Sequence, residues 1–134
     1  MKKIKLDKKK IEKAPDIIWN KFVDFSFDAL DGISQLSDIQ KSAVLCLLYH
    51  SEMCSGGHSG YFDCRSEINP QELVEAMKII GSPKCAENFQ NAIKNGKADD
   101  YQKTDELFYE REAEFIGMVE VYLKDNISEF FKIE

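Results

Sequence analysis

The chain has 134 residues, 43% of them hydrophobic, with nine Phe and five Tyr, which is enough for one domain with its own core and sets disorder aside as the default. Its net charge of -6 conceals a split: residues 1–13 carry seven Lys against Asp7 and Glu12, a balance of +5, while the rest carries 11 basic and 22 acidic side chains, a balance of -11. An acidic body repels nucleic acid and favours basic partners, so direct nucleic-acid binding is not expected.

No stretch approaches the roughly 18 to 20 consecutive apolar residues of a membrane span, and no apolar segment follows the Lys-rich start as it would in a secretory signal. A cytoplasmic protein without membrane contact is the simplest reading. Cys46, Cys54, Cys64 and Cys85 show no close CxxC pair and lie in a chain long enough to fold without staples, so free thiols are expected.

In chain order, the Lys-rich arm over residues 1–13 reads as a frayed, solubilising terminus, with folding back onto the body as the alternative. An acidic helical domain over residues 14–134 follows. Ala14-Pro15-Asp16 suits a helix entry, and Ile18, Phe22, Phe25 and Ala29 recur at three- and four-residue spacing up to about Asp31-Gly32. Ser37-Asp38-Ile39-Gln40 has the form of a capping box, and the apolar run from Ala43 to Leu48 predicts a central, deeply buried second helix reaching Glu52.

The segment Glu52-Met53-Cys54-Ser55-Gly56-Gly57-His58-Ser59-Gly60-Tyr61-Phe62 follows. Its three glycines in five residues predict a sharp break before Tyr61 and Phe62 turn inward. Asn69-Pro70-Gln71-Glu72 joins an N-cap residue to Pro at the first helical position, with Leu73, Met77 and Ile80 as the inner face and Gly81 as the stop. Ser82-Pro83 opens another helix with Ala86, Phe89 and Ile93 inward, ending at Asn95-Gly96. From about Thr104 a long helix carries Leu107, Phe108, Phe115, Met118, Val119 and Tyr122 on its packing side, and Gly117 inside it suggests close approach to a neighbour. Ile127, Phe130 and Phe131 form a terminal turn that caps the core. Strand alternation of useful length is absent, so the fold class is all-α: a single compact helical domain of about six helices, with a Gly-Gly-aromatic knuckle between central helices.

Three kinds of chemistry are conceivable at the knuckle. His50, Cys54 and His58 are spaced by four and Cys64 follows, a composition that suits zinc on an unbroken helix, but Gly56-Gly57 argues against one. Ser55 to Gly60 lacks the lysine and the preceding strand of a phosphate loop. A Ser or Cys here, with His58 or His50 and Asp63 or Glu52, has no spacing that singles out a catalytic trio. The residue reading therefore assigns no catalytic residue, metal or cofactor. It keeps a metal or enzymatic centre on Cys54, His58 and Cys64 as an alternative.

Carboxylates are the chemical excess. Glu106, Glu110 and Glu114 are successive i, i+4 neighbours, with Asp105, Glu112 and Glu120 nearby, and such like-charge pairs destabilise a helix by a few tenths of a kcal/mol each. Ordinarily this is a solvated face. The sharper reading starts from spacing: four helical residues rise about 6 Å, of the order of the distance between successive phosphates, so rigid rows of acids can present a DNA-like field to a basic protein.

Glu52, Gly56, Gly57, Tyr61 and Phe62, then Glu75-Ala76-Met77-Lys78-Ile79-Ile80-Gly81, Ala86, Ala92 and Asp105-Glu106-Leu107-Phe108-Tyr109, resemble the pattern of the bacterial DNA-mimic protein family over roughly residues 36–131. Ser55, His58, Gly60 and Cys64 stand where that pattern has Asn, Phe, Gln and Asn. The resemblance implies an all-α fold, often dimeric, and a member of the family that is similar to duplex DNA in surface charge sequesters a DNA-binding transcription regulator. The expectation is thus a non-enzymatic binding protein that engages a basic, DNA-binding partner through Glu106, Glu110, Glu114 and Glu120, extended by Asp99, Asp100 and Asp105. Glu52, Gly56, Gly57, Tyr61, Phe62 and Gly81 would be structural. The alternative from another class is an immunity or adaptor protein that neutralises a companion protein.

Overall fold

The computed structural model describes residues 3–134, so Lys2 of the basic arm lies outside the described residues. The architecture is all-α, with seven α-helices and a two-stranded ribbon among the described residues. In order these are β1 (Ile4–Leu6), α1 (Lys8–Lys13), α2 (Ile17–Asp28), α3 (Asp38–Cys64), α4 (Pro70–Ile79), α5 (Pro83–Asn95), α6 (Gln102–Asp125), α7 (Ile127–Phe130) and β2 (Phe131–Ile133). Short 3-10 turns at Ala29–Gln35 and Gly96–Asp99 follow α2 and α5. Among the described residues no helix is long and apolar enough to cross a membrane.

Local signals set most of the boundaries. At the start of α3 the Gln40 amide donates to Ser37 Oγ at 3.1 Å, and the Ser37 amide donates to Gln40 Oε1 at 3.1 Å, completing the capping box. Asn69 Oδ1 accepts from the Gln71 amide at 2.9 Å, and Pro70 opens α4 without wasting an amide hydrogen. At the other end Gly81 takes a φ of 99°, which lets the Ser82 amide reach back to the Met77 carbonyl at 2.8 Å.

Helix α3 is the central element and packs against α2, α4, α6 and α7. Its residues 42–49 are all buried, as an apolar run around the whole helix requires. Tyr49 is the hub of the core: its ring meets Tyr61, Phe89, Phe108 and Phe115 edge to face at centroid distances of 5.3, 5.4, 5.3 and 5.9 Å. Phe130 and Phe131 close the far end, both buried, and Phe130 stands edge-on to Phe22.

Three expectations change. Residues 4–13 do not fray: β1 pairs in parallel with β2, Ile4 opposite Phe131 and Leu6 opposite Ile133, and Leu6 is buried. Alternation of Ile4, Lys5 and Leu6 is the cause, with Asp7 then capping α1 through the Lys9 amide at 2.8 Å. Ile93 is not inward but 49% exposed, because Cys85, Ala86, Phe89 and Ala92 form the buried stripe and Ile93 lies at its edge in the last turn. Gly117 makes no close approach, since a Cβ there would have nothing within 4 Å.

Gly117 therefore carries the conformational cost of glycine in a helix without a packing reason. Gly117→Ala should stabilise the domain by about 1 kcal/mol, and thermal unfolding should show the midpoint rising by roughly 3–5 °C.

Candidate functional site

The knuckle is a one-residue break. Helical geometry runs from Asp38 to Cys64 except at Gly57, whose φ of 65° and ψ of -164° lie in a region that side-chained residues essentially never occupy. Gly56 and Gly60 keep negative φ, and a Cβ on either would meet nothing within 4 Å. A Cβ on Gly57 would collide with the carboxylate of Asp105, in the first turns of α6. The absence of a side chain at Gly57 is what admits that carboxylate.

Asp105 Oδ1 then accepts twice from His58, from the backbone amide at 3.0 Å and from ring Nδ1 at 2.7 Å. The other ring nitrogen, Nε2, lies 2.7 Å from the Tyr49 hydroxyl. A carboxylate only accepts, so Nδ1 carries a proton. Burial pushes the His58 pKa below its ordinary value, against the opposing pull of Asp105, so the ring is neutral and Nε2 accepts from Tyr49. Burial likewise holds the Tyr49 hydroxyl protonated, well above its usual range. This is a structural string from the aromatic core to the start of α6. With Tyr49 and His58 both at 0% exposure, it offers no surface to a substrate.

Two further ties fix the same junction. Arg65 Nη2 donates to Glu52 Oε1 at 3.1 Å across the break, and the Tyr109 hydroxyl donates to the Met53 carbonyl at 2.7 Å. Tyr61 is buried against Tyr49 and Phe89, and Phe62, half-buried, lies 5.5 Å from Tyr101. The chain enters α6 through Asp100 and Tyr101, both with left-handed φ angles of 54° and 64°, and Asp99 Oδ2 accepts from the Lys103 amide at 3.0 Å.

The seven carboxylates read from the sequence do not share one fate. Glu106, Glu110, Glu114 and Glu120 are all exposed, and at 100° per residue they fall within one outward sector of α6. Their span is about 21 Å at helical rise. Among the described residues none of the four is held in an ion pair, nor are Asp99 and Asp100, which are also exposed. Lys103 and Lys124 bracket the row on the same outward side. Asp105 departs from it: half-buried, it is committed to His58.

The metal or catalytic alternative on Cys54, His58 and Cys64 is not assembled. Both ring nitrogens of His58 are used inside the core, and the Glu52 carboxylate beside the exposed Cys64 thiol raises the thiol's pKa. A different trio converges instead, and its third member was not singled out from sequence. His50 Nε2 lies 2.8 Å from Glu112 Oε1, and Cys54 Sγ lies 3.6 Å from His50 Nε2 and 3.8 Å from Glu112 Oε1. Thiol and carboxylate both face the same imidazole nitrogen, whereas a nucleophile relay divides them between the two. Partial burial and Glu112 raise the Cys54 pKa, the reverse of an activated thiol.

Two outcomes follow from the knuckle. Gly57→Ala should destabilise the domain by about 2–3 kcal/mol, through backbone strain and displacement of Asp105, while Gly56→Ala should be neutral or mildly stabilising; chemical denaturation of the pair measures the contrast. Because His58 has a lower pKa folded than unfolded, the unfolded chain binds the proton first as pH falls. Stability that is complete above the ordinary histidine pKa of about 6.5 should then decline as pH drops below it, and the denaturation midpoint of His58→Phe should show a weaker decline.

With the geometry in place, the comparisons with known proteins are short. No curated protein and no solved structure matches the chain. A family model described as DMP19-like protein matches residues 34–132, a span that holds the capping box, the Gly57 break, Asp105 and the whole carboxylate row. The chain belongs to the DMP19-like protein family.

Proposed function

We propose that this protein is a non-enzymatic, DNA-mimic-like binding protein, which engages a basic DNA-binding protein such as a transcription regulator and competes with nucleic acid for it. The observation that carries the reading is the row of Glu106, Glu110, Glu114 and Glu120, free of ion pairs among the described residues, on a rigid, outward helix face, continued by Asp99 and Asp100 at the start of α6. Glu106, Glu110 and Glu114 stand about 6 Å apart in rise and Glu120 about 9 Å beyond, so they offer a basic groove fixed charges at a spacing of the same order as that of a phosphate strand. Membership of the DMP19-like family supports the same reading.

Physically, such a row attracts its partner over roughly a Debye length and adds chiefly to association rate and specificity. The helix holds the acids in place before binding, so little side-chain ordering beyond their own rotamers is needed. Asp105, spent on His58, acts one step back by fixing the helix that carries the row.

Capture of partners from the native host, followed by competition with duplex DNA, tests this. A nucleic-acid-binding protein should be recovered, DNA should displace it, and binding should weaken steeply with salt. Glu110→Lys combined with Glu114→Lys should cut affinity by at least about 10-fold, or 1.4 kcal/mol, without lowering the melting temperature. Recovery of one companion protein with no nucleic-acid-binding activity, held in a salt-insensitive way, would replace this reading with the immunity or adaptor one.

A further inference from the structure

We propose that His50 Nε2, Cys54 Sγ and a Glu112 carboxylate oxygen form a zinc site that bridges α3 and α6, with a fourth position open to solvent. The three ligand atoms lie within 4.8 Å of one another. Tetrahedral zinc with bonds of about 2.05 Å to nitrogen, 2.1 Å to oxygen and 2.3 Å to sulfur has ligand-to-ligand edges of about 3.4 Å (N to O), 3.6 Å (N to S) and 3.6 Å (O to S). The corresponding separations are 2.8, 3.6 and 3.8 Å. Two edges already match, and the third is a hydrogen bond that lengthens by about 0.6 Å when the metal replaces its proton.

Placement favours a site over a chance cluster. His50 and Cys54 are one helical turn apart on the best-packed helix, and Glu112 comes from the helix that α3 packs against, so the backbone sets the approach of all three. His50 and Glu112 are partly withdrawn, at 17% and 35% side-chain exposure, while Cys54 opens to water, which gives an ion a way in. One imidazole, one thiolate and one carboxylate suit zinc; magnesium and calcium prefer all-oxygen sites. Coordination needs the thiol to lose its proton to solvent and the neutral imidazole to carry its proton on Nδ1 instead of Nε2, and it joins two helices near the junction that orients the carboxylate row. Glu112 points away from that row, about 120° around α6 from Glu106, so the site stands or falls apart from the mimicry reading.

The full chain, stripped of metal, is titrated with zinc alone by calorimetry and with cobalt(II) by absorption. One zinc per chain is expected, with intense tetrahedral cobalt bands and a thiolate-to-cobalt charge-transfer band. Cys54→Ser should abolish the charge-transfer band and weaken zinc binding by at least about 100-fold, and Glu112→Gln should weaken it too, whereas Cys64→Ser should keep both signals. Cys54 is exposed, so circular dichroism of Cys54→Ser should match the parent. Absence of stoichiometric uptake, weak octahedral cobalt bands, or a charge-transfer band that survives Cys54→Ser would overturn the site.

Discussion

One carboxylate oxygen organises the junction on which the molecule depends. Asp105 Oδ1 accepts both the amide and the imidazole Nδ1 of His58, and it reaches them because the residue before His58 is a glycine in a conformation nearly closed to other residues. That contact fixes three things together: where α3 breaks, how its last turns are set, and how α6 begins. Remove it and the buried His58 Nδ1, the His58 amide and a half-buried carboxylate all lose their partners, each loss of the order of 1–3 kcal/mol. The aromatic core around Tyr49 thus contains one polar string, fully satisfied, running from its centre to the surface.

The same string explains how the knuckle accommodates a histidine at position 58. The imidazole of His58 lies among rings, 6.2 Å from both Phe62 and Phe89 and 6.3 Å from Tyr101. Its aromatic body serves the packing role of a phenyl group, and its two nitrogens add directional contacts at opposite ends. Burial keeps the ring neutral, which is the state in which one nitrogen donates to Asp105 and the other accepts from Tyr49.

What the sequence disclosed divides by distance along the chain. The capping box at Ser37, the Asn69-Pro70 entry and the Gly81 stop involve residues within five positions of each other, and all three form as the local pattern predicts. The all-α class follows from the same periodicity. The strand at Ile4–Leu6 was hidden because three residues make no statistical alternation and their partner lies at the opposite end of the chain. Gly117 was misread because a glycine in a helix signals either close approach or nothing, and sequence does not say which. Around α6, Asp105 lies about 100° and Glu112 about 120° from the outward Glu106, so the helical period places both off the row, although the sequence reading extends the row to Asp105. Their partners were not legible: Asp105 meets His58 at a separation of 47 residues, and Glu112 meets His50 at 62.

The contrast between α4 and α6 bears on what the acidic row is for. On α4, Glu72 lies 3.8 Å from Lys41, and Glu75 lies 3.9 Å from Lys78 and accepts from Gln71, so both acids of that helix have a neighbour. The α6 row has no such ion pairs and accepts the repulsion of i, i+4 carboxylates, a small cost per pair that a basic partner would reverse in sign. Its length sets a limit on the proposed decoy. About 21 Å of row is shorter than the 34–36 Å that separates the half-sites read by a dimeric helix-turn-helix regulator. On the proposed reading a single chain would cover one basic groove, and a decoy that occupies both grooves of such a regulator would require two copies of this protein with their rows aligned.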